Sequence, residues 1–369
     1  MFTLFKAAQL VYNKNSTIFQ LKVASYQVVE VVVMSTIKDV AKLAGVSTST
    51  VSRTLSNRVF VEEETRQKVL KAVKELNYRP SIMAKALREG RSYTLALSVP
   101  DINSLFYPML MKSVEKYAAE HGYFLLLCNN NEDVEQEKRN VEMLSMRGVD
   151  GILCMSVKDD VSHLVQLSEE RKLPVVLVNR DLTEHLSCIT INHRQGGYLM
   201  MKYLLDMGHR QIAAMFSDFE NQRCRERFFG CKQAMEEYGI SNYKKFFVYD
   251  VMSIEEAHNC TLELLNRPER PTAFFASMDV LALGIYQGIA ELGLTIPRDI
   301  SVVGFDNIFV TEHMIPPVTT FSASIDELAK QSVECLIDQI ENGGAPRRMV
   351  IGGSLVQRAS VQRLETEKQ

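Results

Sequence analysis

The sequence predicts an α/β protein in two parts: a small N-terminal helix-turn-helix domain and a two-lobed core of parallel sheets. Three observations carry this reading. Residues 36–55 place apolar side chains at helical spacing on both sides of a glycine. From Tyr93 onward, short continuous apolar runs alternate with amphipathic stretches. Charge is divided unevenly between these parts: residues 35–90 hold eleven Lys/Arg against six Asp/Glu, residues 1–34 are +2, and the formal total is −3, which leaves −10 for residues 91–369.

The chain of 369 residues has room for two or three domains, and its 46% hydrophobic and 24% charged residues are those of a globular protein. Residues 1–33 are apolar and β-prone, with no Gly, Pro or basic-apolar-small plan of a signal peptide. Met34 stands directly before S-T-I-K-D-V-A, so translation is expected to start there and the leader to be unordered or outside the natural protein; the alternative is a poorly ordered arm.

The helix-turn-helix domain is expected over residues 35–79. Ile37, Val40, Ala41 and Ala44 fall at i, i+3, i+4 and i+7, one face of a first helix. Thr36 and Asp39 have capping-box spacing, and Gly45 can take the left-handed turn that ends the helix. Ser47 is a suitable N-cap for a second helix with Val51 and Leu55 inward and Thr48, Ser49, Ser52 and Arg53 outward. Short polar groups and one guanidinium on an exposed helix suit base edges in a major groove, and the local excess of positive charge suits phosphates. A third helix has Val69, Val73 and Leu76 as its core stripe. Residues 80–91, with Pro80 and Ser81 at one end and Gly90 at the other, allow a helix too short to be stable alone, a hinge that orders only with a partner.

Strand candidates in the core are T-L-A-L-S-V, Y-F-L-L-L-C, G-I-L-C-M-S, V-V-L-V-N, I-A-A-M-F, F-F-V-Y, A-F-F-A-S and S-V-V-G-F-D. Helical stretches such as 109–121, 135–146, 195–207 and 282–292 lie between them. Continuous apolar strands spaced by amphipathic helices mean parallel sheets covered on both faces. Their number calls for two lobes, with a small ligand bound in the cleft at the strand ends. The seven Cys are scattered without metal-ligand spacing, which fits reduced thiols in a cytoplasmic protein, and no apolar run is long enough to span a membrane.

These motifs, with E-E-T-R-Q-K-V, L-N-Y-R-P-S, A-K-A-L, V-D-G-I-L, M-G-H-R-Q-I, R-P-T-A-F-F-A, D-V-L-A-L-G, I-P-R-D-I-S-V-V-G-F-D-N, P-P-V-T-T and S-L-V-Q-R, resemble the LacI/GalR family of bacterial repressors in order from about Ser35 to Gln362. The resemblance implies a periplasmic-binding-protein-like core over residues 92–369. Lobe 1 then takes about 92–191 and 322–352, and lobe 2 about 192–321 and 353–369. It implies a bacterial, nucleoid-associated repressor, a homodimer or tetramer on a pseudo-palindromic double-stranded DNA operator, with a small effector, a sugar or sugar derivative, and no cofactor. It places base contacts at Thr48, Ser49 and Arg53, phosphate contacts at Ser47, Thr50 and Asn57, and a minor-groove hinge at Lys85 and Leu87, with Leu87 as the wedge. Lys85 stands where Arg is commoner. Effector contacts fall on Phe106, Tyr107, Asn179, Arg227, Asp279 and Asp306. Met278-Asp279, Asn192-His193 and Asn179 depart from the family's frequent residues, so no particular sugar is carried over.

A dinucleotide enzyme is the first rival. Neither G-x-G-x-x-G nor G-x-x-x-x-G-K-S/T is present, and the seven His are isolated. An exported solute-binding protein, the second rival, needs an export signal and has no use for the first domain.

Overall fold

The computed structural model describes residues 8–12, 18–23, 26–32, 35–56, 60–79 and 90–364. The chain divides into two compact units, Met1–Gly90 and Arg91–Gln369.

In the first unit, β1 (Ala8–Tyr12), β2 (Ile18–Val23) and β3 (Tyr26–Val32) form an antiparallel sheet in the order β1-β2-β3. These strands lie within the leader that precedes Met34. Their composition suits this: runs rich in Val and Ile, with alternating polar positions, favour paired strands. Three helices follow, α1 (Ile37–Ala44), α2 (Thr48–Ser56) and α3 (Glu63–Glu75). The Thr36 N–H donates to Asp39 Oδ2 at 2.8 Å, which caps α1. Gly45 ends α1 at φ 67°, and the Val46 N–H returns to the Ala41 carbonyl at 3.0 Å. Val40, Ala41, Val51, Val69 and Ala72 make the buried core of this small bundle.

The second unit holds two six-stranded sheets, each buried on both faces. Lobe 1 runs through β4 (Thr94–Val99), α4 (Phe106–Glu120), β5 (Phe124–Asn129), α5 (Val134–Met146), β6 (Gly151–Cys154), α6 (Ser162–Arg171), β7 (Val175–Val178) and β8 (Ser187–Ile191). Lobe 2 runs through α7 (His193–Asp206), β9 (Ile212–Met215), α8 (Gln222–Glu237), β10 (Phe247–Val248), α9 (Ile254–Leu265), β11 (Ala273–Ala276), α10 (Asp279–Glu291), β12 (Ser301–Phe305) and β13 (Thr319–Ala323). The chain then returns to lobe 1 through α11 (Ile325–Asn342) and β14 (Arg348–Ile351), and ends in lobe 2 with β15 (Gly353–Val356).

The sheet orders are β14-β8-β7-β6-β4-β5 and β10-β9-β11-β12-β13-β15. Every pairing in them is parallel except β13 with β15, an antiparallel edge that continuous apolar runs do not announce. Three crossings between the sheets, after Ile191, Ala323 and Ile351, leave the carboxyl ends of both sets of strands facing one cleft. No helix among the described residues is long and apolar enough to cross a membrane.

Candidate functional site

On the first unit, the Ser47 hydroxyl accepts from the Thr50 N–H at 3.2 Å and so caps α2. Val51 and Thr54 point inward, with the Thr54 hydroxyl donating to the Thr50 carbonyl at 2.9 Å. Ser47, Thr48, Ser49 and Arg53 are exposed and Thr50 is half-buried. The helix therefore presents one polar stripe to solvent, the arrangement a major-groove reader needs. Asn57, Lys85 and Leu87 lie outside the described residues, as does the hinge segment over 80–89.

In the second unit, a cavity of about 450 Å3, its open mouth included, is lined by Ser104, Phe106, Tyr107, Asn179, Ser217, Asn221, Arg223, Cys224, Arg227, Met278 and Asp306. Most of these groups sit just past a strand end, while Asn221, Arg223, Cys224 and Arg227 come from the start of α8. Phe106 and Tyr107 open α4 beyond β4, Asn179 follows β7, Ser217 follows β9, Met278 follows β11 and Asp306 follows β12. Asn179 (φ 58°) and Asp306 (φ 109°) both take left-handed backbone conformations, strain that the packing around the cleft sustains.

Arg227 organises the floor. Its Nη2 donates to Asp306 Oδ1 at 2.9 Å, its Nη1 donates to the Ser277 carbonyl, and its Cζ lies 3.7 Å from the centroid of the Phe305 ring. Its Nε donates to His193 Nδ1 at 3.3 Å. A guanidinium only donates, so His193 carries its proton on Nε2 and gives it to Asn179 Oδ1 at 2.9 Å. Burial, and then the charge of Arg227, push the His193 imidazole well below its usual value and keep it neutral. Burial raises the Asp306 carboxyl, while Arg227 pulls it the other way and holds the ion pair.

Five of the six expected effector residues thus meet in one cavity: Phe106, Tyr107, Asn179, Arg227 and Asp306. Asp279 does not line it. Its Oδ1 accepts from the Thr320 hydroxyl at 2.7 Å and its Oδ2 from the Ile308 N–H at 3.0 Å. It therefore braces the loop that presents Asp306 and is itself buried. That burial, with Asp306 nearby, pushes its carboxyl up to about 8. The sequence reading missed Arg223 and Asn221. A signal existed: Arg223 stands four residues before Arg227, which on a helix is the same face.

The lobes are also joined beside the cavity. Asp159 of lobe 1 accepts from Arg180 of its own lobe at 3.0 Å and from Arg225 of α8 at 2.7 Å. Arg180 is itself buried, donates to Asn221 Oδ1 at 2.5 Å across the cleft, and is brought down to about 9 by burial and by Arg223. Gln222 exchanges hydrogen bonds with the backbone of Asp181 at 2.6 and 3.2 Å.

Comparison with known proteins agrees with both halves. Residues 36–81 match the profile of the bacterial regulatory proteins, lacI family, and residues 201–361 match a periplasmic binding protein-like domain. The chain is 36% identical over 319 residues to the HTH-type transcriptional repressor PurR of Vibrio vulnificus, covering 86% of this chain and 95% of that one. It is 35% identical to the protein of the same description from Histophilus somni, covering 90% and 100%. Among solved structures, the lac repressor dimer bound to operator and the anti-inducer ONPF aligns with a TM-score of 0.80 and 26% identity over 89% of this chain and 100% of that one. A complex of the transcriptional regulator CelR with cellobiose aligns at 0.68 and 28% identity over 88% and 99%. These relatives are regulators, not enzymes. With a helix-turn-helix unit, a two-lobed cleft unit and relatives of this identity and coverage, the chain belongs to the LacI family of bacterial transcriptional repressors.

Proposed function

We propose that this protein represses transcription from a pseudo-palindromic operator, and that a small hydroxylated ligand, a sugar or sugar derivative, sets its operator affinity from the interlobe cavity. The observation that carries the reading is the convergence of Phe106, Tyr107, Asn179, Arg227 and Asp306 on one cavity at the strand ends of both lobes. Aromatic walls with a few fixed donors and acceptors are the composition of a small-ligand site. A neighbouring structure holding cellobiose and another holding ribose support the ligand class.

On the DNA, Thr48, Ser49 and Arg53 read base edges, with Ser47, Thr50 and Asn57 on phosphates. Lys85 and Leu87 enter the minor groove when the hinge orders. The working form is a homodimer in the cytoplasm, bound to the chromosome. β5 is an edge strand that exposes Phe124 and Leu127, and the following α5 exposes Met143 and Met146, an apolar face suited to a second copy. Pairing two dimers into a tetramer is not needed for one operator. Asp279 positions the Asp306 loop and touches no ligand.

The test is selection of bound sites from random DNA, then a metabolite screen for compounds that shift affinity for the selected site. The expected result is a two-fold-related consensus and at least one ligand that shifts affinity. Recovery of no consensus contradicts the proposal.

A further inference from the structure

Three guanidinium groups surround the cavity, and they are not equivalent. Arg227 is held by Asp306 at 2.9 Å, and Arg180 by Asp159 at 3.0 Å. Arg223 lines the cavity directly, half-buried, and among the described residues it makes no ion pair. Its Nε donates to Asn221 Oδ1 at 3.3 Å, a long bond to a neutral group, and the Tyr107 hydroxyl is beside it.

The carboxylates whose field reaches Arg223 are Asp306 and Asp159, and each is committed elsewhere. Asp306 is engaged by Arg227, while Asp159 is shared between Arg180 and Arg225. Both carboxylates are therefore engaged by Arg227, Arg180 and Arg225, and neither is committed to Arg223. Burial pushes the Asp279 carboxyl toward its neutral form, and both its oxygens are committed to Thr320 and Ile308. His193 is neutral. Burial works against the charge of Arg223, but the Tyr107 hydroxyl, Asp306 and Asp159 outweigh it and hold the guanidinium above its usual value, so a charged donor group faces the cavity without an ion-pair partner among the described residues.

Resting on the reading of this cavity as the ligand site, we propose that Arg223 receives an oxyanion of the ligand, a carboxylate or a phosphate, so that the effector is an anionic derivative of a polyol. Arg223 presents planar donors suited to two oxygens of such a group. Tyr107, Asn179 and Asp306 are left for hydroxyls.

The test titrates the full-length protein with inorganic phosphate, with acetate and with ribose, at ionic strength held constant with chloride, following the melting midpoint and the heat of binding. At least one oxyanion should stabilise the wild type saturably. Arg223→Gln should weaken that affinity by about tenfold or more, and Arg223→Lys by less, since the charge stays. Ser104→Asp, which adds a carboxylate to the cavity without removing Arg223, should weaken it as well, and serves if Arg223→Gln does not fold. A stronger response to phosphate assigns a phosphate, and a stronger response to acetate assigns a carboxylate. No saturable response to either anion, or an unchanged response in Arg223→Gln, overturns the proposal. If in that case ribose binds and Asp306→Asn abolishes its binding, the cavity remains the ligand site and only the anionic class falls. If ribose too is indifferent to Asp306→Asn, the cavity reading falls with it.

Discussion

Arg53 and His209 show how differently two single side chains act in this chain. Arg53 is exposed on α2, away from the small core of Val40, Val51 and Val69, so its removal leaves that core intact. Arg53→Ala is expected to cost about 1–3 kcal/mol of operator binding and to relax preference at one position in each half-site, measured by titration of single-base operator variants. His209 is fully buried. Its ring bridges the Thr272 hydroxyl at 2.9 Å and the Gln362 carbonyl at 3.2 Å, tying the α7–β9 turn to the C-terminal segment. Burial, with Arg210 adding to it, lowers the imidazole to about 4 from a usual 6.5. A folded value below the unfolded one means that the unfolded chain takes up the proton first. The stability from neutral His209 is therefore complete above about pH 6.5 and is lost as pH falls toward about 4. Denaturant unfolding of wild type and His209→Gln across that window should show the difference between them shrinking as pH falls; a constant difference contradicts this. In the sequence, M-G-H-R-Q-I stands out as one of the motifs that carry the family resemblance. The burial of its His was not legible there, because the partners Thr272 and Gln362 are far along the chain.

At the scale of elements, α7 and α8 cross so closely that glycines are required on both. A Cβ on Gly230 would lie 1.9 Å from the Arg194 carbonyl oxygen, and one on Gly197 2.1 Å from that of Arg227. Gly230→Ala should therefore push the helices apart, lowering stability by about 1–3 kcal/mol and displacing Arg227 from Asp306. Thermal unfolding and ligand calorimetry measure the two effects. Normal stability with unchanged ligand affinity contradicts it. The main helices and parallel strands were legible because their apolar periods are long and regular. The edge strands β14 and β15 were not, since a four-residue strand with exposed positions has no period to read. The β1-β2-β3 sheet follows a β-prone pattern present in the sequence, with no Gly or Pro to mark its ends. Of the cavity, Phe106, Tyr107, Asn179, Arg227 and Asp306 were found through the family resemblance, none of them by period or spacing. Asp279 was assigned to the cleft through the family resemblance; its neighbour Met278 lines the cavity, while the first turn of α10 aims Asp279 at Thr320 and Ile308.

For the whole molecule, the account is one of linkage. The cavity is built from both lobes, and Asp159, Arg180, Asn221, Gln222 and Arg225 join the lobes beside it, so an occupant bears on the angle between them. A ligand changes operator affinity only by its differential affinity for the lobe arrangements that DNA binding selects, typically about 1–3 kcal/mol. The most direct measurement is an operator titration of wild type and Asp306→Asn, each with and without the metabolite found by screening. Asn is the substitution to use. It tolerates the left-handed backbone at Asp306 and keeps an acceptor for Arg227, whereas Ala would leave that guanidinium buried without a partner. The account predicts that without ligand the two proteins bind operator alike, and that ligand shifts the wild type but not Asp306→Asn. An Asp306→Asn protein that responds to ligand as the wild type does contradicts it.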